Sequence, residues 1–196
     1  MYQPQDKFFK QAKTQGYRAR SAFKLQAIDE RYHLFRPGQR VLDLGAAPGS
    51  FLQYIRQQVG EKGIAVGVDL QKITPFGEPN VHTFVGDVFD EKRMAEIMEQ
   101  LNIKSFDVIT SDMAPKTTGI KFVDGGASLD LNLQVLELSQ KYLRSGGHVV
   151  MKILPGFDEG ELMGPTKNLF KQVKKYRPPA VRRSSRESYV IGMDTY

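Results

Sequence analysis

The chain has no cysteine, no tryptophan and only three histidines. Without thiols there are no disulfides, no thiolate zinc sites and no cysteine nucleophile. His33, His82 and His148 are scattered without metal-ligand spacing and read as surface or core histidines, so no metal is expected. No apolar run approaches the roughly 20 residues of a membrane span. Met1 to Asp6 lacks the apolar core of a signal peptide, which argues for a cytoplasmic protein with no membrane partner.

What is there fits a globular chain: 196 residues, 40% hydrophobic and 26% charged. The expectation is a monomer with a single domain over 1–196, divided into a basic helical N-terminal extension (1–39) and a core (40–196). The net charge of +6 is uneven: residues 1–40 and 166–196 each carry +6, and residues 41–165 carry −6. Basic ends suit a polyanion such as RNA, through phosphate neutralisation and counterion release. An acidic middle suits a cationic ligand. Solvated charge with no partner is the plainer alternative.

The most informative stretch runs from Val41 to Phe51, VLDLGAAPGSF. A short apolar run is followed by small residues, Pro and Gly, then by an apolar-periodic segment to Val59. This predicts a buried strand, a tight turn and a helix N-terminus. Gly45, Ala46, Pro48 and Gly49 form the turn, where backbone can approach a ligand closely. Free N–H groups at the helix start favour polar or anionic ligand groups. Asp43, an acid inside an apolar strand, needs a partner. A second run, Ile64 to Asp69, ends in an acid placed to hold a ribose hydroxyl pair, so an adenosine derivative is expected. The second glycine of G-x-G-x-x-G is replaced by alanine, and no Gly-Lys-Ser/Thr is present. D-L-G-x-x-P-G resembles instead the S-adenosylmethionine site of Rossmann-like methyltransferases, whose sulfonium is a cation. The lack of cysteine then excludes methylation of a pyrimidine carbon through a thiolate.

Further elements follow in order. Residues 1–20 interleave Lys7, Lys10, Lys13, Arg18 and Arg20 with Tyr2, Phe8, Phe9 and Tyr17, a pattern that suits phosphates and stacked bases or, equally, a surface helix with aromatics turned inward. Arg18 to Phe35 reads as one helix with a Leu25, Ile28, Tyr32, Phe35 stripe and Lys24 at its edge. Strands are expected at 81–85, 106–110 and 148–154, and helices at 91–101 and 166–176; 128–143 alternates like a strand at Leu129, Leu131, Leu133 and Val135 but also fits a helix, which its length favours. Residues 116–127 read as a polar functional loop. Val181–Arg183 and Ser188–Met193 read as a closing hairpin. The alternation from 40 to 154 predicts a parallel sheet covered on both faces, made mixed by the hairpin. Asp43, Asp69, Asp87, Asp112 and Lys152 lie in or just after five successive strands, where ligands bind in such sheets.

Asp112-Met113-Ala114-Pro115 lacks the second proline and the aromatic of an amine-methylating turn. A ribose hydroxyl is a poor nucleophile and needs a base or an orienting cation; a desolvated lysine can be either. Lys152 is the candidate, with Lys24 as a second cation and carboxylates to hold both in register.

Five motifs in order, Ser21–Leu25 (SAFKL), Asp43–Gly49 (DLGAAPG), Ser111–Pro115 (SDMAP), Val150–Lys152 (VMK) and Ser185–Tyr189 (SRESY), resemble the FtsJ/RrmJ family of RNA ribose 2′-O-methyltransferases over nearly the whole chain. The resemblance implies an α/β Rossmann-like fold with a mostly parallel seven-stranded sheet, one antiparallel strand and helices on both faces. It implies S-adenosylmethionine as cofactor and RNA as partner, with a uridine of large-subunit ribosomal RNA as target; other branches modify transfer or messenger RNA. The family's Lys-Asp-Lys-Glu tetrad falls on Lys24, Asp112, Lys152 and Glu187, with Lys152 as proton acceptor. Its cofactor contacts fall on Gly49, Phe51, Asp69, Asp87 and Asp112. Pro48-Gly49-Ser50-Phe51 stands where the family often has Pro-Gly-Gly-Trp, which keeps an apolar face and loses the indole N–H. The alternatives are a non-catalytic RNA-binding or ribosome-assembly factor on the same fold, and a nicotinamide-dependent dehydrogenase.

Overall fold

A computed structural model describes residues 7–196; Tyr2 of the aromatic and basic stretch lies outside them. The elements are α1 (Lys7–Thr14), α2 (Ala22–Tyr32), β1 (Arg40–Leu44), α3 (Ser50–Val59), β2 (Ile64–Asp69), β3 (Val81–Val85), α4 (Glu91–Gln100), β4 (Phe106–Ser111), α5 (Lys121–Tyr142), β5 (Leu143–Ile153), α6 (Glu159–Leu169), β6 (Phe170–Tyr176) and β7 (Ser188–Thr195). The strands form one seven-stranded sheet in the order β3-β2-β1-β4-β5-β7-β6. Neighbours from β3 to β5 are parallel, and β7 runs antiparallel between β5 and β6. This is the mixed sheet the sequence implied.

Alternation along the central strands feeds two cores, because successive side chains leave a strand on opposite faces. Leu42, Ile109 and Val149 join the cluster packed by α4, α5 and α6. Their neighbours Val41, Val108 and Val150 join the cluster packed by α2 and α3. With both faces covered, a strand needs no polar side, which is why these segments read as continuous apolar runs.

Five sequence expectations are corrected. The helix expected over 18–35 is shorter. Residues 15–21 form turns, and Arg18 N–H donates to Gln53 Oε1 (2.6 Å). At the other end His33 takes a left-handed conformation (φ 54°). The buried Asp29 carboxylate then captures the Leu34 and Phe35 amides (2.8 and 3.1 Å) and the Tyr54 hydroxyl (2.8 Å), pulling the chain out of the helix.

The polar loop expected over 116–127 ends at Ile120. Asp124, in the first turn of α5, accepts from the Thr118 amide (2.6 Å) and hydroxyl (2.9 Å) and from the Gly119 amide (3.1 Å). That side chain closes the loop onto the helix. β5 in turn starts at Leu143 rather than His148, pairing across an irregularity with Phe106.

The basic segment 166–176 is not one helix. α6 ends at Leu169 and 170–176 is the edge strand β6. Phe170, Val173 and Tyr176, three apart, imitate helical spacing. The intervening lysines are instead the solvent-facing charges of an edge strand, where they discourage further pairing. Phe170 packs over Gly192 of β7, where an added Cβ would lie 2.6 Å from the ring.

The closing hairpin pairs β7 with β6, not with Val181–Arg183. Pro178 and Pro179 have no N–H for a ladder. The Arg177 guanidinium instead donates to the Arg182 and Ser185 carbonyls (3.3 and 2.7 Å) and holds 177–187 as a connection.

Candidate active site

The chain moves outward from β1 to β2 and β3, then returns to the other side of β1 for β4. The strand order therefore reverses at β1/β4, and the crevice of such a sheet opens there. A cleft of about 500 Å³ occupies that position. It is lined by Gly45 after β1, Asp69 at the end of β2, Gly86 and Asp87 after β3, and Asp112 and Met113 after β4. Three carboxylates and no lysine or arginine line it, so its chemistry suits a cationic ligand.

The turn after β1 is shaped for close approach. Gly45 has φ +69°, and a Cβ there would fall 2.4 Å from Met113 Cγ. The Ala47–Pro48 peptide is cis, and Gly49 caps α3. Asp69 Oδ2 accepts from the Ala47 amide (2.9 Å) and Oδ1 from the Gln71 amide (2.8 Å). Each oxygen keeps a further acceptor site for a ligand hydroxyl. Asp87 Oδ1 accepts from the Phe89 amide (3.0 Å), so it shapes its turn as well as lining the cleft.

Four of the expected cofactor contacts are not on this wall: Ala46, Pro48, Gly49 and Phe51. Phe51 is 3% exposed and packs in the core with Leu52 and Ile55, because α3 turns its apolar face to the sheet. The Pro48 carbonyl is an acceptor for Arg18 (3.1 Å).

Arg18 itself is placed differently from its reading as a phosphate ligand. It also donates to the Thr74 and Pro75 carbonyls (2.6 and 3.1 Å) and lies 3.8 Å from the centre of the Phe76 ring. Its donors tie the N-terminal segment to the turn and to the loop after β2. Arg20 donates to the Ala180 carbonyl. Phe8 and Tyr17 pack against Phe23 with ring centres 5.7 and 5.4 Å apart, while Lys7, Lys10 and Lys13 face solvent.

Asp43 finds its partner in the neighbouring strand: Thr110 Oγ1 donates to Asp43 Oδ1 (2.7 Å). Oδ2 has no partner among the described residues. Burial pushes this carboxyl well above the usual range; the Thr110 hydrogen bond opposes that shift, and Asp112 and Asp69 add to it.

Beyond the cleft, Lys152 and Tyr189 face each other in the β5/β7 register. Lys152 is 9% exposed. Its Nζ lies 3.2 Å from Asp112 Oδ1 and also donates to the Asp112 carbonyl. The Tyr189 hydroxyl donates to the same Oδ1 (2.7 Å). Lys24 Nζ pairs with Glu187 Oε1 at 2.5 Å, with both side chains largely buried. Charges this buried require their partners. Burial holds the Tyr189 phenol well above its ordinary value, and Asp112 and then Glu187 reinforce the shift. Glu187 stands two residues before Tyr189 in the chain, so the Lys24–Glu187 pair adjoins the start of β7.

Helix α5 fixes the end of β5. Asn132 Nδ2 donates to the Lys152 carbonyl (2.9 Å), and Ser128 Oγ accepts from the Leu154 amide (3.0 Å). Sequence reasoning passed over Tyr189, Thr110, Ser128 and Asn132. Each sits in a segment whose apolar pattern was the stronger signal. Tyr189 alone had a flag, as the last residue of the Ser185–Tyr189 motif.

A model of the FtsJ-like methyltransferase family matches residues 17–195. A protein of Myxococcus xanthus named ribosomal RNA large subunit methyltransferase E is 44% identical over 192 residues, covering 98% of this chain and 90% of the relative. A protein of the same name from Syntrophobacter fumaroxidans is 43% identical over 194 residues, covering 98% and 96%. Among solved structures, a Plasmodium falciparum protein assigned as a ribosomal RNA methyltransferase aligns with TM-score 0.82 and 27% identity, covering 91% of this chain and 98% of that one. Fibrillarin from Aeropyrum pernix, crystallised with natively bound S-adenosylmethionine, aligns with TM-score 0.59 and 19% identity over 88% and 76%, a likeness of fold.

Proposed function

The chain belongs to the FtsJ-like methyltransferase family, and from that premise we propose that it methylates a ribose 2′-hydroxyl in large-subunit ribosomal RNA, at a uridine, using S-adenosylmethionine. The observation that carries the reading is the double engagement of Asp112. Its residue lines the acidic cleft, and its carboxylate holds Lys152 at 3.2 Å. One residue thereby couples the donor site to the amine that would meet the acceptor.

The cleft fits the cofactor by charge and size: a positively charged ligand meets three carboxylates in about 500 Å³. When bound, S-adenosylmethionine supplies a methyl group on sulfonium sulfur. Asp69 is the residue for the ribose hydroxyls and Asp87 for the adenine amino group. Lys152 accepts the proton of the attacking 2′-hydroxyl or, as an ammonium, orients its oxygen. Asp112, held by Tyr189, keeps that amine in place, and in this reading the Lys24–Glu187 pair at the start of β7 completes the site.

The exposed lysines of α1 and the basic C-terminal segment are the phosphate contacts. In this reading residues 1–39 are an RNA-facing extension of a single catalytic domain, acting as a cytoplasmic monomer. No described helix is long and apolar enough to cross a membrane.

The test supplies labelled S-adenosylmethionine and large-subunit particles, or their stripped RNA, from a strain lacking the gene. Nucleoside mass spectrometry should find one new 2′-O-methyluridine. A methyl group on a base, or no transfer by protein that binds the cofactor, would overturn the proposal.

A further inference from the structure

A second hollow, of about 560 Å³, opens at the carboxyl end of β5. The cofactor cleft lies over the ends of β3, β2, β1 and β4, and this groove lies over β5 and the start of β7. Ile153 and Ser188 line it, and they are register partners one step beyond Lys152 and Tyr189. The Lys152–Asp112 pair therefore links the two hollows: Asp112 lines the cleft assigned to the methyl donor, and Ile153, next to Lys152, lines the groove.

The groove is walled by the start of α5, with Lys121 and Phe122, and by residues 155–157. These walls touch through glycine. A Cβ on Gly156 (φ +133°) would lie 2.0 Å from the Lys121 carbonyl oxygen, and one on Gly125 would lie 2.5 Å from Gly156 backbone. The contact holds the first turn of α5 beside the groove and leaves the Phe122 ring 79% exposed. With Ile120 and Val123 also exposed, Phe122 belongs to an apolar patch at the start of α5, the kind of feature that marks a contact site.

The groove's charges are asymmetric. Asp158 Oδ1 caps α6 by accepting from the Gly160 amide (2.9 Å), and Glu159 is paired with Lys175. Among the described residues Lys121 and Arg186 have no acidic partner. Asp158 keeps its charge, so Lys121, Lys175 and Arg186 against Asp158 and Glu159 leave the groove net positive; cations beside an open aromatic face are the combination that grips single-stranded nucleic acid by phosphate and stacked base.

We propose that this groove binds the ribonucleotide adjoining the one that is methylated, its base stacked on Phe122 and its phosphate held by Lys121 and Arg186. The proposal rests on the RNA-methylation reading above. It gives the enzyme a substrate contact distinct from its basic ends, and one that demands an unpaired base.

The test uses an RNA fragment spanning the mapped target, with 2-aminopurine at the adjoining position, and the full-length protein. Phe122→Ala should raise KM for the RNA roughly tenfold and abolish quenching of the probe, with the dissociation constant for S-adenosylmethionine unchanged. Phe122→Tyr should restore both, and Arg186→Ala should raise KM while lowering its salt dependence. Glu99→Ala, on the exposed face of α4, is the control and should change neither. If the wild type methylates the fragment and Phe122→Ala matches it in KM and quenching, the groove proposal is overturned alone. If the wild type transfers no methyl to RNA, both readings fall.

Discussion

The Tyr189 hydroxyl donates to Asp112 Oδ1 at 2.7 Å, the same oxygen that lies 3.2 Å from Lys152 Nζ. One carboxylate oxygen thus fixes both an amine and a phenol, and the phenol is reinforced as a donor because burial and Asp112 oppose its ionisation. Tyr189→Phe removes the donor and keeps the ring. A net hydrogen bond to a charged group is worth about 1.5–3 kcal/mol. Part of that loss should appear as a kcat roughly tenfold lower, with cofactor affinity unchanged. Single-turnover methyl transfer checks it; an unaltered rate would show that Lys152 is positioned without Tyr189.

Asp69 bears on the other half of the site. Both its oxygens accept from backbone amides, and both retain capacity for ligand hydroxyls. Asp69→Ala should weaken S-adenosylmethionine binding by about tenfold or more, by the loss of charge-assisted hydrogen bonds. Isothermal calorimetry measures it, and an unchanged dissociation constant would remove Asp69 from the ribose role.

Arg18 distinguishes a structural cation from an RNA-binding one. Its guanidinium serves three protein carbonyls and the Phe76 ring. Arg18→Ala should lower Tm and weaken cofactor binding, because the turn at Pro48 loses its tie. The slope of RNA affinity against salt should stay the same. A slope reduced by about one would mean that Arg18 neutralises a phosphate after all.

His148 offers a pH signature. The Asp194 amide donates to its Nδ1 (3.2 Å), which requires an unprotonated acceptor there. Burial, with smaller contributions from Arg144 and Arg36, holds the imidazole below its ordinary value of 6.5, and Asp194 opposes the shift. The unfolded chain therefore binds this proton more readily than the folded one. The stabilisation is present above pH 6.5 and is lost as pH falls from there through the lower folded value. Urea unfolding across that window should show wild-type stability declining relative to His148→Gln. Parallel curves for the two proteins would contradict it.

Much of this architecture could be read from the chain because buried parallel strands leave a dense apolar signal. Strands at Val41, Ile64, Val81 and Phe106, with the acids at their ends, were legible for that reason. The errors fall where a side chain or a partner strand decides the backbone. Asp29 ends α2 and Asp124 begins α5 through bonds to amides five or six residues away that periodicity does not reveal. Phe170, Val173 and Tyr176 carry helical spacing, and only β7, arriving later in the chain, makes them a strand.

The candidate site divides in the same way. Its charged members stand out against apolar strands, as Lys152 does, or inside recognisable motifs, as Asp112 and Glu187 do. The members that hold them, Tyr189 and Asn132, are hidden among core residues. The groove at Phe122 was invisible because it depends on Gly125 meeting Gly156, two residues in separate elements.

The central claim is that Lys152 faces the acceptor oxygen while the donor is seated elsewhere. The most direct measurement is paired calorimetry and single-turnover methyl transfer on Lys152→Ala. The account predicts S-adenosylmethionine and RNA binding close to wild type, with methyl transfer reduced by a factor of at least about 100, as for loss of a general base. Methyl transfer retained at the wild-type rate would contradict it.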